Sequence, residues 1–215
     1  MGEFQAVPRI ETRRLLLACW APGDAVLLTE ALHESREHLL PWMPWAKAEP
    51  EPVTAKLQLL MDWKGAFVEA RDFHYAVFER RSGRLLGALG AHPRIGPQAL
   101  ELGYWIRAGE VGRGVATEAA AVTTRVALEL MGAHRAEIRL DARNVASERV
   151  PQKLGYRLEG RLREDLPDSE GSRGDRLIYG MLASEVASSP VMDTPLRALG
   201  WDGEVLLDDG LGGPA

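Results

Sequence analysis

Gly112-Arg113-Gly114-Val115-Ala116-Thr117-Glu118 is the stretch on which the reading of this chain turns. Before it stands Ala99-Leu100-Glu101-Leu102-Gly103-Tyr104-Trp105-Ile106, which reads as a strand; after it an Ala-rich run from Thr117 to Met131 reads as a helix. Two glycines one residue apart let the turn expose several main-chain N–H groups at the helix N-terminus. Unsatisfied donors and aligned peptide dipoles there favour an anion, most often phosphate.

Outward from this stretch the chain organises itself. A short strand at Leu15-Leu16-Leu17-Ala18 precedes a helix from Ala25 to His33, with Asp24 as its expected N-cap. Prolines exclude regular helix from Leu39-Leu40-Pro41-Trp42-Met43-Pro44-Trp45, and a second helix follows over Thr54 to Ala70. Strands at 74–79, 85–91 and 99–106 form an antiparallel meander. A strand at 136–140, a helix from Val145 to Leu154, and strands near 156–163 and 176–182 complete the pattern, the last two separated by the turn Pro167 to Gly171. Seven strands result, and the meander excludes a fully parallel doubly wound sheet. The expected class is mixed α/β (α+β): a mostly antiparallel sheet of about seven strands with helices on both faces. Composition shifts at Ser184. The expected division is one domain over 8–184 and a tail over 185–215 that ends flexibly, with Trp201 and Leu206-Leu207 available for docking on a partner subunit, as in a homodimer, or on its own domain.

The chain has 215 residues, 46% hydrophobic and 27% charged, the proportions of an ordinary globular protein. Its net charge of −5 leaves no basic footprint for nucleic acid and suits a cationic acceptor such as an amine. No run approaches the ~18 apolar residues of a membrane span. One cysteine, Cys19, excludes a disulfide framework or Cys-rich zinc site, and the five histidines show no metal spacing. The opening residues lack the regions of a signal peptide, so a cytoplasmic location is expected.

Three phosphate signatures compete for the glycine turn. A Walker loop requires Lys-Ser or Lys-Thr after its second glycine, where this chain has Val115 and Ala116. A dinucleotide fingerprint requires Gly or Ala three positions beyond the second glycine, where Thr117 stands. The pyrophosphate loop of acyl-coenzyme A binders pairs two glycines with a small residue two positions on; Gly112, Gly114 and Ala116 fit it. The run Glu101 to Ile106, this loop, Asn144-Val145-Ala146-Ser147, and Leu154 to Gly160 together resemble the GNAT superfamily of N-acetyltransferases. The opening Ile10 to Leu17 and the segment Leu40 to Trp45 resemble its branch that acetylates the N-termini of ribosomal proteins. The resemblance spans about residues 8 to 184.

Amine acetylation by a thioester requires a neutral amine, a polarised carbonyl and a proton for the departing thiolate, and neither a metal nor a covalent enzyme intermediate. The resemblance implies acetyl-coenzyme A as cosubstrate. It implies a splayed strand whose main chain near Trp105, Ile106 and Arg107 meets the pantetheine, and main-chain N–H groups from Val111 through Gly112, Arg113, Gly114 and Val115 to Ala116 that hold the pyrophosphate. Asn144 would bond the pantetheine arm, or simply cap its helix. Ser147 would protonate the thiolate, since the position where many relatives carry tyrosine is Pro151. Glu101 is the expected base, on the strand face of Gly103 and Trp105, with Glu164 and Asp165 as rivals; a plain salt bridge is the alternative reading of Glu101. Trp42 and Trp45 would wall the amine pocket. The best acceptor is a protein N-terminal α-amine, ribosomal or other; a small amine (polyamine, aminoglycoside or amino acid) and a non-catalytic acyl-coenzyme A module are the alternatives.

Overall fold

The computed structural model describes residues 4–167 and 173–211. Two short strands open it, β1 (Arg9–Glu11) and β2 (Leu15–Cys19). Helices α1 (Ala25–Leu39) and α2 (Val53–Val68) lead into the meander β3 (Phe73–Glu79), β4 (Leu85–His92) and β5 (Ala99–Ile106). Helix α3 (Val115–Glu129), β6 (Arg135–Asp141), α4 (Val145–Leu154), β7 (Arg157–Pro167) and β8 (Arg173–Leu182) follow, and β9 (Arg197–Leu199) and β10 (Val205–Asp208) end the chain. All belong to one sheet of order β10-β9-β1-β2-β3-β4-β5-β6-β8-β7. Among the described residues, β5–β6 is its only parallel pair.

The sheet is thus mixed and mostly antiparallel, as expected, but it has ten strands instead of about seven. The three additions, β1, β9 and β10, are three or four residues long and gather at one edge. Runs so short carry too little alternation to announce themselves; pairing makes them strands. Ile10, between Leu17 and Ala198 on its two neighbours, is fully buried.

Those pairings also place the region after Ser184. The sheet continues through it, with Val186, Val191, Leu196 and Ala198 buried and Trp201 edge-on to Phe67 at 5.9 Å. Arg125, in the middle of α3, has a side chain only 2% exposed and donates to Asp209 at 2.5 Å. Residues 185–211 therefore pack on their own domain. The anticipated turn at 168–172 and the end of the tail, 212–215, lie outside the described residues.

Helices cover both faces. The small side chains Ala119, Ala120, Ala127 and Val122 let α3 lie close against Leu100, Leu102 and Ile138, with α4 beside it. On the other face α1 and α2 bury Leu28, Leu32 and Leu60 against Ala76 and Ala88. Asp24 does not cap α1: its carboxylate accepts the Ala21 N–H at 2.9 Å and closes the preceding turn. Between α1 and α2 the proline-broken segment forms a short 3₁₀ turn, Pro44–Ala48. It is fixed from both sides. The buried Lys56 ammonium pairs with Glu49 and, at 2.6 Å, Glu51, and Arg36 donates to the Glu49 carbonyl at 2.6 Å.

Candidate active site

β5 and β6 pair from Ala99–Leu102 against Arg135–Ile138 and then part. Beyond that point β5 stays on β4 as far as Ile106, and β6 stays on β8 as far as Asp141, so the sheet opens as a V between two intact ladders. The Arg107 N–H donates to the Leu86 carbonyl at 2.8 Å. Alternation along an antiparallel ladder then turns the main-chain groups of Trp105 and Gly103 toward β4, and those of Ile106 and Tyr104 toward the gap. A Cβ added to Gly87 of β4 would come within 2.2 Å of the Trp105 carbonyl oxygen, which confirms that this carbonyl faces β4. The expectation of free main chain at Trp105 and Arg107 is corrected accordingly. Ile106 keeps its place and Tyr104 joins it.

At the open end of the V lies the glycine turn. Gly112 and Gly114 both have φ of +79°, the left-handed region that costs other residues about 1–2 kcal/mol. A Cβ at Gly112 would meet nothing within 4 Å, and at Gly114 only Arg14 Nη2 at 3.7 Å. The surface here is bare main chain, and no side chain caps the first N–H groups of α3. Arg14 faces the turn from below. It donates to the Arg113 carbonyl at 3.3 Å and to Glu118 at 2.7 Å, and Thr12 donates to the same carboxylate at 2.5 Å. Val111 is exposed and offers no polar side chain. The Arg113 guanidinium is turned back onto Glu110 at 2.6 Å, a buried carboxylate it shares with Arg84.

Across the V stands the start of α4. Asn144 caps it, its Oδ1 accepting the Ser147 N–H at 3.0 Å. Pro151 sits inside this helix and has no N–H to give to the carbonyl four residues back, which is that of Ser147. The Tyr104 hydroxyl supplies the missing bond, donating to the Ser147 carbonyl at 3.2 Å with the Ser147 hydroxyl 3.1 Å away. Burial pushes the Tyr104 phenol up to about 12, partly offset by its bond with Ser147. Sequence reasoning missed Tyr104; Pro151 was the available signal, since a proline within a helix leaves a carbonyl that something must satisfy.

The opposite face of β4 and β5 carries a different surface. Trp45 is exposed and packs edge-on to the half-buried Trp105 at 6.5 Å, so the proline-broken segment does reach β5; Trp42 of the same segment is half-buried. Glu101 is buried and paired, accepting from Arg94 at 2.6 Å, with Arg139 at 3.9 Å. That is the salt-bridge reading. Glu164 and Asp165 lie on β7, the far edge strand, with β8 and β6 between them and β5. Beside Glu101 the fold assembles a group that the sequence scatters. Asp72 accepts from His92 Nδ1 at 2.6 Å and from His74 Nε2 at 3.0 Å, and His74 lies flat on Trp63 at 4.1 Å. One carboxylate oxygen and one nitrogen from each ring lie within 4.8 Å of one another, although the histidine spacing in sequence suggested nothing. Burial would raise Asp72, but the two imidazoles bonded to it outweigh that and hold its carboxyl well below the usual range. Burial likewise lowers His74, against its bond to Asp72.

A parted parallel pair opens beside a bare turn at a helix N-terminus, and the opposite face of the same strands carries Trp45, Trp105 and the Asp72, His74 and His92 cluster. Residues 14–157 match the family model described as the acetyltransferase (GNAT) domain, and the chain belongs to that family. It is 26% identical over 166 residues to a protein named putative ribosomal N-acetyltransferase YdaF from Bacillus subtilis, which covers 76% of this chain and 88% of that one. Among solved structures it is similar to Mycobacterium smegmatis RimJ in complex with a coenzyme A disulfide, with a TM-score of 0.75, 22% identity, and 87% and 92% of the two chains covered. A RimL structure, described as a ribosomal-protein α-N-acetyltransferase in complex with coenzyme A, superposes with a TM-score of 0.73 at 17% identity, covering 83% and 98%. These two likenesses show the fold. No helix among the described residues is long and apolar enough to cross a membrane.

Proposed function

We propose that this protein uses acetyl-coenzyme A to acetylate a primary amine, the N-terminal α-amine of a ribosomal or other cytoplasmic protein. One observation carries the reading: the V between β5 and β6 opens directly onto a glycine turn whose main-chain donors are uncovered. The N–H groups from Val111 to Ala116 hold the pyrophosphate. Gap-facing main chain of Tyr104 and Ile106 pairs with the pantetheine and polarises the thioester carbonyl. Arg113 leaves Glu110 to contact phosphate, or stays paired without loss of the main-chain grip. Asn144 orients the pantetheine arm while it caps α4.

The amine enters from the other face, between Trp45, Trp42 and Trp105. Its nitrogen attacks the carbonyl carbon, the C–S bond breaks, and the thiolate takes a proton from Ser147, which regains one from solvent while the Tyr104 hydroxyl, 3.1 Å away, holds it in place. Glu101, tied to Arg94, shapes the groove floor as a salt bridge. A net charge of −5 suits a cationic acceptor. The similarity to YdaF and RimL, both named as acetyltransferases of ribosomal proteins, supports a ribosomal-protein acceptor.

Free-thiol release from acetyl-coenzyme A tests this, with peptides carrying different N-termini set against polyamines, aminoglycosides and amino acids. Peptide N-termini should be acetylated with the highest kcat/KM. Preference for a small amine would replace the acceptor, and cofactor binding with no thiol release would make the protein a non-catalytic module.

A further inference from the structure

An ammonium cannot attack a thioester until it loses a proton, so the acceptor groove requires a base. Glu101 is poorly placed for that task, because it is held between Arg94 and Arg139. The cluster beside it is better built. His92 Nδ1 donates to Asp72 Oδ1 at 2.6 Å, which leaves Nε2 with its lone pair. The ring then lies over two adjacent glycines. A Cβ at Gly90 would come within 2.2 Å of His92 Nε2, and one at Gly103 within 3.8 Å. Gly90 and Gly103 are cross-strand partners, and Gly103 is the first residue of β5 beyond the point where it parts from β6. His92 Nε2 thus sits over Gly90 and beside Gly103, next to the root of the V, on the face shared with Trp105 and Trp45, and the His92 side chain keeps 13% of its surface open.

We propose that His92 is the general base of the acetyl transfer, with Asp72 and His74 as positioning residues. This rests on the function proposed above. His92 Nε2 takes one proton from the acceptor ammonium. The neutral nitrogen then forms the C–N bond as the C–S bond breaks, and the imidazolium releases its proton to solvent. Asp72 stays ionised, because two ring N–H groups donate to it, and so fixes the tautomer without taking the proton itself. His74 is clamped between Asp72 and the face of Trp63, and its ring sits 4.9 Å from His92, walling the base from the side. The titratable and charged groups around the imidazole are Asp72, His74, Glu101 and Arg94, and Trp63 of α2 backs the His74 ring.

The experiment compares the full-length wild type with His92→Gln and Asp72→Asn by thiol release across pH, after calorimetry with acetyl-coenzyme A has shown each variant folded. Glutamine keeps an amide N–H for Asp72, so the packing survives. His92→Gln should lower kcat by about 10²–10⁴-fold with cofactor affinity intact. Asp72→Asn removes the anion beside the ring, and the acidic limb of the kcat/KM profile should move to lower pH. His92→Gly should be partly rescued by added imidazole. An active wild type with His92→Gln at full turnover, or with an unmoved acidic limb in Asp72→Asn, overturns the assignment while leaving the acetyltransferase reading intact. A wild type that releases no thiol with any amine ends that reading, and this one with it.

Discussion

The two halves of this site are made of different material. The side proposed for the cofactor is main chain: two left-handed glycines, the uncapped start of α3 and the gap-facing groups of Tyr104 and Ile106. The side proposed for the acceptor is side chain: Trp45 against Trp105, Trp63 against His74, and Asp72 between two imidazoles. A diphosphate and a string of amides are the same in every reaction that uses them, and peptide groups recognise them without side-chain identity. An acceptor amine differs from one enzyme to the next, so the residues that meet it are the ones free to vary.

That contrast can be broken most severely on the main-chain side. Ile106→Pro deletes one gap-facing N–H; thiol release should fall by about 10²–10³-fold, as for loss of a single oxyanion donor, and a smaller loss would mean that the carbonyl is polarised elsewhere. Gly114→Val forces a β-branched residue to φ near +79°. The strain of about 1–3 kcal/mol should weaken acetyl-coenzyme A binding about ten- to a hundredfold by calorimetry, with KM for the amine unchanged. The reciprocal test is Trp45→Ala, which should raise KM for the amine about tenfold and leave cofactor affinity alone, consistent with about 1 kcal/mol for an aromatic edge contact. Equal effects of either substitution on both ligands would erase the division.

The smallest effect concerns stability. Burial raises Tyr104 to about 12 and raises Tyr75 and Tyr156 as well, against an ordinary value near 10. In the unfolded chain these phenols ionise first, so the stability they contribute is intact below pH 10 and is lost as pH rises through about 12. The melting temperature should decline over that window, and tyrosinate absorbance should appear together with loss of helical circular dichroism. Ionisation of these phenols in a still-folded protein would contradict their burial.

The same division explains what the amino-acid sequence discloses. Gly112 and Gly114 are legible because a left-handed turn leaves its mark locally, and the alternation over 99–106 marks β5 directly. Helices α2, α3 and α4 fall within two residues of their expected bounds, whereas α1 runs on to Leu39, past its expected end at His33. The side-chain cluster on the opposite face is not legible. Asp72 and His92 are twenty residues apart and meet only because Phe73 pairs with Ala91 across the β3–β4 ladder. Gly90 and Gly103 look like weak points in strands until the ring of His92 is seen to fill the space above them. The strands after Ser184 are hidden for the same reason: Arg197-Ala198-Leu199 has no strand signal of its own, and β1 supplies one.

Calorimetric titration of the full-length protein with acetyl-coenzyme A tests the central claim most directly. The account predicts one-to-one binding in the micromolar range, weakened in Gly114→Val and undisturbed in His92→Gln. Absence of binding up to millimolar cosubstrate, or binding indifferent to a side chain at position 114, would contradict it.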